Sequence, residues 1–261
     1  MHSTVPKAVI ETNCQRGVFR IGIHRPEKKN ALTLEMYQAM ASALTQAEDD
    51  PSVRVILLHG TADCFTSGND LQDFLANPPS GPESPVFRFL TAISQAKKPI
   101  VAAVNGPAIG IGTTLLLHCD LIYAGDKARF QLPFVNLGLC PEAASSILLP
   151  RLMGYPRAAE LLMLGESFDA SRALELGLVN AVFPEAKLFR HAIAQAQKLA
   201  EKPSASVRLT KQLLKAAPAT TTEQALVTEA GHFLRMLCQP EAREALTAFF
   251  ERRPPNFSQF E

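Results

Sequence analysis

The chain has 261 residues, of which 47% are hydrophobic and 20% charged, enough apolar side chain for one large core and too much for a disordered chain. With 26 Lys and Arg against 25 Asp and Glu, the net charge of +1 excludes the broad cationic face that a nucleic acid needs, though not a local cluster around a small anion. Cys14, Cys64, Cys119, Cys140 and Cys238 are scattered without a C-x-x-C pair, and the six histidines are dispersed, so neither a disulfide framework nor a metal site is expected.

Residues 1–6 are short and polar, unlike a secretory leader. The apolar stretch 99–117 is cut by Asn105, Gly106, Pro107, Gly110 and Gly112, which rules it out as a membrane span. The C-terminal Ser258-Gln259-Phe260-Glu261 carries no peroxisomal tripeptide, and the expected setting is cytoplasmic.

In chain order, residues 18–23 alternate as a half-buried strand does. Thr33 is a candidate cap for a helix running to about Glu48, with Leu34, Met36, Tyr37, Met40, Ala41 and Leu44 as its apolar stripe. Residues 53–59 read as a strand ending at Gly60. Residues 77–85, with four prolines and a glycine, read as a loop, a surface excursion in preference to a lid. The continuous apolar run 100–104 predicts a strand buried on both faces. A glycine-rich turn, an apolar helix over 113–118 and a strand over 121–124 follow. Strand, helix and strand in repeated order predict an α/β fold.

After about Pro184 four helical stretches are predicted, broken near Pro203, Pro218 and Pro240. Their apolar faces hold Leu188, Ala192 and Ala196; Val207, Leu213 and Leu214; Leu226, Phe233 and Leu237; and Leu246, Phe249 and Phe250. The expected organisation is an α/β core over residues 1–201 and a helical region over 202–261, with no short-period repeat.

Several common chemistries are eliminated by spacing. Gly110-Ile111-Gly112 begins a dinucleotide fingerprint that fails at Leu115; there is no P-loop and no G-x-S-x-G. Ser94-Gln95-Ala96-Lys97 matches S-x-x-K at a place where a helix should end, as chance would allow. Two glycine-centred turns remain, 64–71 after the strand at 53–59 and 105–113 after the strand at 100–104. Each leads into a helix start, where backbone N–H groups lack internal partners and glycine admits a ligand. Two such starts side by side could aim two donors at one oxygen, as an oxyanion hole does. Read from the residues alone, two tight turns whose glycines relieve sterics are the preferred reading.

The strings Arg25-Pro26-Glu27-Lys28-Lys29-Asn30-Ala31-Leu32, Phe65-Thr66-Ser67-Gly68-Asn69-Asp70-Leu71, Asn105-Gly106-Pro107-Ala108-Ile109-Gly110-Ile111-Gly112 and Cys119-Asp120-Leu121-Ile122-Tyr123-Ala124 together resemble the crotonase (enoyl-CoA hydratase/isomerase) superfamily. The resemblance runs from about Val9 to Phe257. It implies a spiral of ββα units with a helical C-terminal region that drives trimer formation, often trimers paired into hexamers, and an acyl-CoA thioester as substrate. No separate cofactor is implied, since coenzyme A is part of the substrate, and neither a metal, a nucleic acid nor a membrane is expected as partner.

By the same resemblance the thioester oxygen would be held by the N–H groups of Asn69 and Ile111, flanked by Gly68 and Gly110, with isoleucine where the family usually has glycine. Lys28 would meet the CoA phosphates, and Ser67 and Asp70 would border the adenine and pantetheine channel. Family hydratases use two glutamates, whose positions here hold Thr114 and Phe134. A single carboxylate stands instead in Leu139-Cys140-Pro141-Glu142-Ala143-Ala144, which resembles peroxisomal-type Δ3,Δ2-enoyl-CoA isomerases. That resemblance makes Glu142 the acid/base and Phe134 an apolar wall beside it. Without it, Glu142 reads as a carboxylate stabilising a helix start after a proline. Two rival readings are a hydratase or other crotonase-type enzyme, and a non-catalytic acyl-CoA-binding scaffold.

Overall fold

The structure, a computed structural model, describes residues 9–77, 81, 83–216, 239–240, 244, 247–248 and 251–260. It opens on a hairpin of β1 (Ile10–Gln15) and β2 (Val18–Ile23). The β1 strand was not legible in the sequence, because five of its six residues are exposed and only Ile10 packs against the core. Thr33 caps α1 (Leu34–Asp49) as predicted, its hydroxyl oxygen accepting the Met36 N–H. Next comes β3 (Val55–His59), two residues shorter than the apolar run because Val53 closes the preceding turn onto the Asp50 carbonyl.

Two helices follow, α2 (Leu71–Ala76) and α3 (Pro85–Gln95). Pro85 is thus the first helical residue, where a missing N–H costs nothing. After β4 (Ile100–Val104) and β5 (Pro107–Ile109), α4 (Ile111–Thr114) continues into a 3-10 turn, Leu115–His118, so the helix starts two residues earlier than predicted. Then come β6 (Leu121–Gly125), β7 (Arg129–Gln131), α5 (Ser145–Met153), α6 (Tyr155–Leu164), β8 (Phe168–Asp169), α7 (Ala170–Glu175), β9 (Ala181–Phe183), α8 (Glu185–Ala200) and α9 (Ser204–Ala216). The predicted faces around Leu226, Phe233 and Leu237, and around Leu246, Phe249 and Phe250, lie outside the described residues. Among the described residues no helix is long and apolar enough to cross a membrane.

The larger sheet runs β1-β2-β3-β4-β6-β9, parallel except for the β1–β2 hairpin. Its central strands are buried on both faces, which is why they read as unbroken apolar runs. Ile56, Leu58, Ile100, Ala102 and Val104 join the core formed with α1 and α3. Val55, Leu57, Val101 and Ala103 face the other way, onto Leu188, Ala192, Ala196 and Ala200 of α8. The alanines on that face let the helix lie close to the sheet, and burying Leu188 contributes about 2 kcal/mol. The chain then returns to this body: Arg54 donates to the carbonyls of Ala200, Phe257 and Phe260.

Because β2, β3 and β4 are parallel, the loops that follow them (24–33, 60–70 and 105–110) all leave from one edge of the sheet. Crevices at such an edge are where open α/β sheets place ligands. A second, three-stranded sheet, β5-β7-β8, packs beside that edge and carries the third loop.

Candidate active site

Asn30, fully buried, organises the first two loops. Its side-chain oxygen accepts the Arg25 N–H at 2.7 Å, and its amide donates to the carbonyls of Cys64 at 2.7 Å and Phe65 at 3.1 Å. It sits at φ 56°, a left-handed conformation that asparagine tolerates better than most residues. The Thr66 hydroxyl donates back to the Asn30 carbonyl at 2.7 Å.

Thr66 also joins the second loop to the third. Its N–H donates to Pro107 O at 3.0 Å, and its carbonyl accepts the Ile109 N–H at 3.1 Å, forming a parallel bridge with Ala108. Three residues beyond this bridge on each side stand Asn69 and Ile111. Gly68, at φ +93°, lies so close to the other loop that an added Cβ would come within 2.8 Å of the Ile109 carbonyl oxygen. A side chain there would push the two donors apart.

Both proposed donors are available. Leu32 donates to Gly68 O and its own carbonyl accepts the Asp70 N–H, each at 2.8 Å, so the peptides on either side of the Asn69 N–H are fixed. The Asn69 N–H itself has no acceptor among the described residues. Ile111 opens α4, where the first N–H groups have no intrahelical acceptor, and it too has none elsewhere among the described residues. The sharp turn falls on Gly110, at φ 58° and ψ −117°, which only glycine adopts easily. Ile111 itself is helical and its side chain is 1% exposed in the core, so replacing a glycine here removes neither the donor nor the space before it.

Glu142 faces this helix. The Thr114 hydroxyl donates to Glu142 Oε1 at 2.7 Å. Thr114 lies one turn beyond Ile111, about 4.5 Å along the axis, so the residue at the first position expected for a hydratase glutamate here holds Glu142, a carboxylate from elsewhere in the chain. Burial pushes the Glu142 carboxyl above the ordinary carboxylate range, and the Thr114 hydrogen bond draws it part of the way back. Glu142 is not in the first turn of a helix: α5 begins at Ser145, and the segment from Leu139 to Ala144 is irregular. Both the hydroxyl and the N–H of Ser145 donate to the Glu142 carbonyl. Ala143 and Ala144 follow at φ 54° and 57°, a conformation costing a non-glycine residue about 1 kcal/mol or more. Left-handed backbone of this kind collects at functional sites.

The remaining predicted residues fall around this centre. Phe134 is buried in the main core just before the exposed stretch 135–140. Ser67 is half-buried, its N–H donating to Lys29 O. Lys28 is exposed on the turn Pro26–Lys28. Asp70 is engaged within the protein: it accepts from Arg25 Nη1 at 2.7 Å and caps α2 through the N–H groups of Gln72 and Asp73. The Arg25 guanidinium, then the α2 amides, hold its carboxyl below the usual range.

Sequence reasoning gave Tyr37 only a place in an apolar stripe. It is fully buried against Phe74 and Phe89, and its hydroxyl donates to Asn69 Oδ1. Burial first, and then the Glu142 charge, raise its phenol well above the usual range. A polar atom within an apolar heptad was the available signal. Among the described residues no group of three His, Cys, Asp or Glu could hold a metal ion. A cavity of about 680 Å³ lined by Lys97, Arg208, Lys211 and Lys215 lies at the opposite end of β4; there Lys215 donates to the Ser94 carbonyl at the end of α3 and Lys211 pairs with Asp120.

The enoyl-CoA hydratase/isomerase family profile matches residues 13–260. Enoyl-CoA delta isomerase 2 of Rattus norvegicus is 39% identical over 215 residues, covering 80% of this chain; the chain spans only about half of that relative, 54%. The 1,2-epoxyphenylacetyl-CoA isomerase of Escherichia coli K12 is 33% identical over 257 residues, covering 95% of this chain and 98% of the relative. A solved structure from Magnetospirillum magneticum AMB-1 superposes with a TM-score of 0.93 at 45% identity, over 97% of this chain and 99% of the other. The sheet order, the paired loops and these matches lead to one conclusion: the chain belongs to the enoyl-CoA hydratase/isomerase family.

Proposed function

We propose that the protein is a Δ3,Δ2-enoyl-CoA isomerase, moving the double bond of a 3-enoyl-CoA to the 2-position with Glu142 as its one acid/base. Glu142 takes a proton from C2, and the electron pair delocalises through C1 onto the thioester oxygen and through C3 to C4. The N–H groups of Asn69 and Ile111 stabilise the oxyanion of this dienolate, and losing one such donor typically costs about 3 kcal/mol. The protonated Glu142 then delivers its proton to C4 and the oxyanion collapses to the thioester. Protons and electrons balance within the substrate and one carboxyl group, so coenzyme A enters only as part of the substrate.

The observation that carries this reading is the bond from Thr114 to Glu142. It gives the first hydratase position, Thr114, a hydroxyl engaged with the remaining carboxylate, and Phe134 leaves the second hydratase position apolar. A raised carboxyl basicity suits proton abstraction next to a thioester, and an apolar wall disfavours water as a reactant. The rat relative bears an enoyl-CoA isomerase name. In this reading Lys28 meets a CoA phosphate, and the chain assembles as a trimer or paired trimers that cover the more than half-exposed Leu139, Ile147, Met163 and Leu164.

The E. coli relative, covered over nearly its whole length, favours a second reading, another ring- or double-bond rearrangement of an acyl-CoA run from the same oxyanion pair. An assay of 3-enoyl-CoA esters of several chain lengths beside 2-enoyl-CoA separates the readings. Conversion of 3-enoyl to 2-enoyl esters without net hydration supports isomerase; hydration of crotonyl-CoA at a comparable rate, or no turnover despite tight CoA-ester binding, rejects it.

A further inference from the structure

Glu142 can act only if its carboxylate keeps a fixed distance from the two amides, because a displacement of about 1 Å at a reacting centre can cost about 100-fold in rate. Yet it stands on an irregular segment between Leu139 and Ala144, with neighbours Leu139 and Cys140 exposed. Ser145, the buried first residue of α5, bonds the Glu142 carbonyl and so holds the backbone after Glu142, not its carboxylate or the Ala143-Ala144 peptide. Two further bonds, both from the helical run at 111–118, reach Glu142 and Ala143 within the segment. Thr114 takes the carboxylate at 2.7 Å, and His118 Nε2 lies 2.9 Å from the Ala143 carbonyl.

Both come from the helical run that starts at Ile111. Ile111 and Thr114 are spaced i, i+3 in α4 and His118 ends the 3-10 turn that continues it; the Thr114 and His118 contacts show that both meet the Glu142 segment. One short rod therefore carries the oxyanion donor, the contact to the carboxylate and the contact to the backbone beneath it. The Ala143 carbonyl lies in the peptide joining the two left-handed alanines, so His118 grips the segment at its most strained point.

We propose that His118 is a positioning residue for the acid/base: by donating from Nε2 to the Ala143 carbonyl, it locks the left-handed Ala143-Ala144 turn and sets Glu142 against the Asn69 and Ile111 amides. This rests on the reading of Glu142 as the acid/base. The His118 ring is buried, and burial, followed by the Lys215 and Lys211 charges, outweighs the opposing pull of the Ala143 hydrogen bond and favours its neutral form. The neutral ring donates to a carbonyl as the tautomer with the proton on Nε2.

The test compares His118→Phe, which keeps a buried ring without a donor, with His118→Gln, which returns an N–H. Expected is a kcat on 3-enoyl-CoA reduced about tenfold to 100-fold in His118→Phe, with KM within twofold and most of the rate restored in His118→Gln. Amide hydrogen exchange over residues 142–146 should quicken in His118→Phe and recover in His118→Gln. Should His118→Phe fail to fold, His118→Met serves as the donor-free variant. An unchanged kcat in the donor-free variant, an equal loss in both variants, or unchanged exchange overturns the proposal. Exchange is read whether or not the enzyme turns over. A wild type inactive on every 3-enoyl-CoA, with a segment that loosens in His118→Phe, therefore removes the isomerase reading and leaves the locking role standing.

Discussion

Thr114 and Glu142, 28 residues apart in sequence, meet through a 2.7 Å hydrogen bond from hydroxyl to carboxylate. The bond does two things. It fixes the carboxylate one helical turn from the Ile111 amide, and it stabilises the charged form of a group that burial pushes toward the neutral one. The pH dependence of the reaction should report both.

A base must be deprotonated, so turnover should rise with pH through the raised Glu142 value, giving an acid limb above the ordinary carboxylate range of about 4.3. Thr114→Val removes the one interaction that lowers that value, so the acid limb of kcat should move to still higher pH. A kcat profile over pH 4–9 for both proteins checks this, and a limb that moves downward, or does not move, argues against Glu142 as the titrating base.

Tyr37→Phe should lower kcat about fivefold, an estimate resting on the roughly 1 kcal/mol typical of one buried hydrogen bond. The ring still packs on Phe74 and Phe89, but Asn69 Oδ1 loses its donor and the second loop its brace. KM should change less than kcat. Steady-state kinetics with a 3-enoyl-CoA make the measurement, and a change confined to KM would place Tyr37 in binding instead.

Asp70→Ala should destabilise the fold by about 1–2 kcal/mol through the lost α2 cap and Arg25 partner. The native carboxyl is held below its unfolded value, so its contribution is complete above about pH 4 and disappears as pH falls through the lowered folded value. Urea unfolding at pH 7 and pH 3 should therefore show a large difference between wild type and variant at pH 7 and a smaller one at pH 3.

Much of this was legible in the residues, for definable reasons. The run 100–104 is apolar throughout because β4 is covered on both faces, and Thr33 announces α1 because its hydroxyl serves the first turn. The two loops that carry Asn69 and Ile111 show through Gly68 and Gly110, each at a backbone conformation that glycine adopts easily. The parts that did not show depend on contacts distant in sequence. Short strands such as β5 and β7 are three residues long and have no period to read. Asn30, Tyr37 and His118 look ordinary in one dimension, since their roles lie chiefly in partners 31 to 35 residues away for Asn30, 32 for Tyr37 and 25 for His118. The place of Glu142 before α5, instead of within its first turn, follows from left-handed dihedrals at two alanines, which no residue preference would suggest.

Lys28→Ala should raise KM for CoA esters about fivefold, the equivalent of roughly 1 kcal/mol, and leave kcat within twofold. The side chain is exposed on the 3-10 turn Pro26–Lys28, so its loss should leave the unfolding midpoint in place. Added salt should narrow the difference, as screening does for any exposed charge pair. An unchanged KM at low salt contradicts a phosphate contact at this lysine.

The most direct test is Glu142→Gln, which keeps the shape of the side chain and its bond from Thr114 while removing the base. Single-turnover rates on a 3-enoyl-CoA should fall by about 1,000-fold or more, with the affinity for a saturated acyl-CoA within about threefold of wild type. Isomerisation near the wild-type rate in Glu142→Gln would mean that another group moves the proton, and that the pairing of one carboxylate with the Asn69 and Ile111 amides is not the machinery of this enzyme.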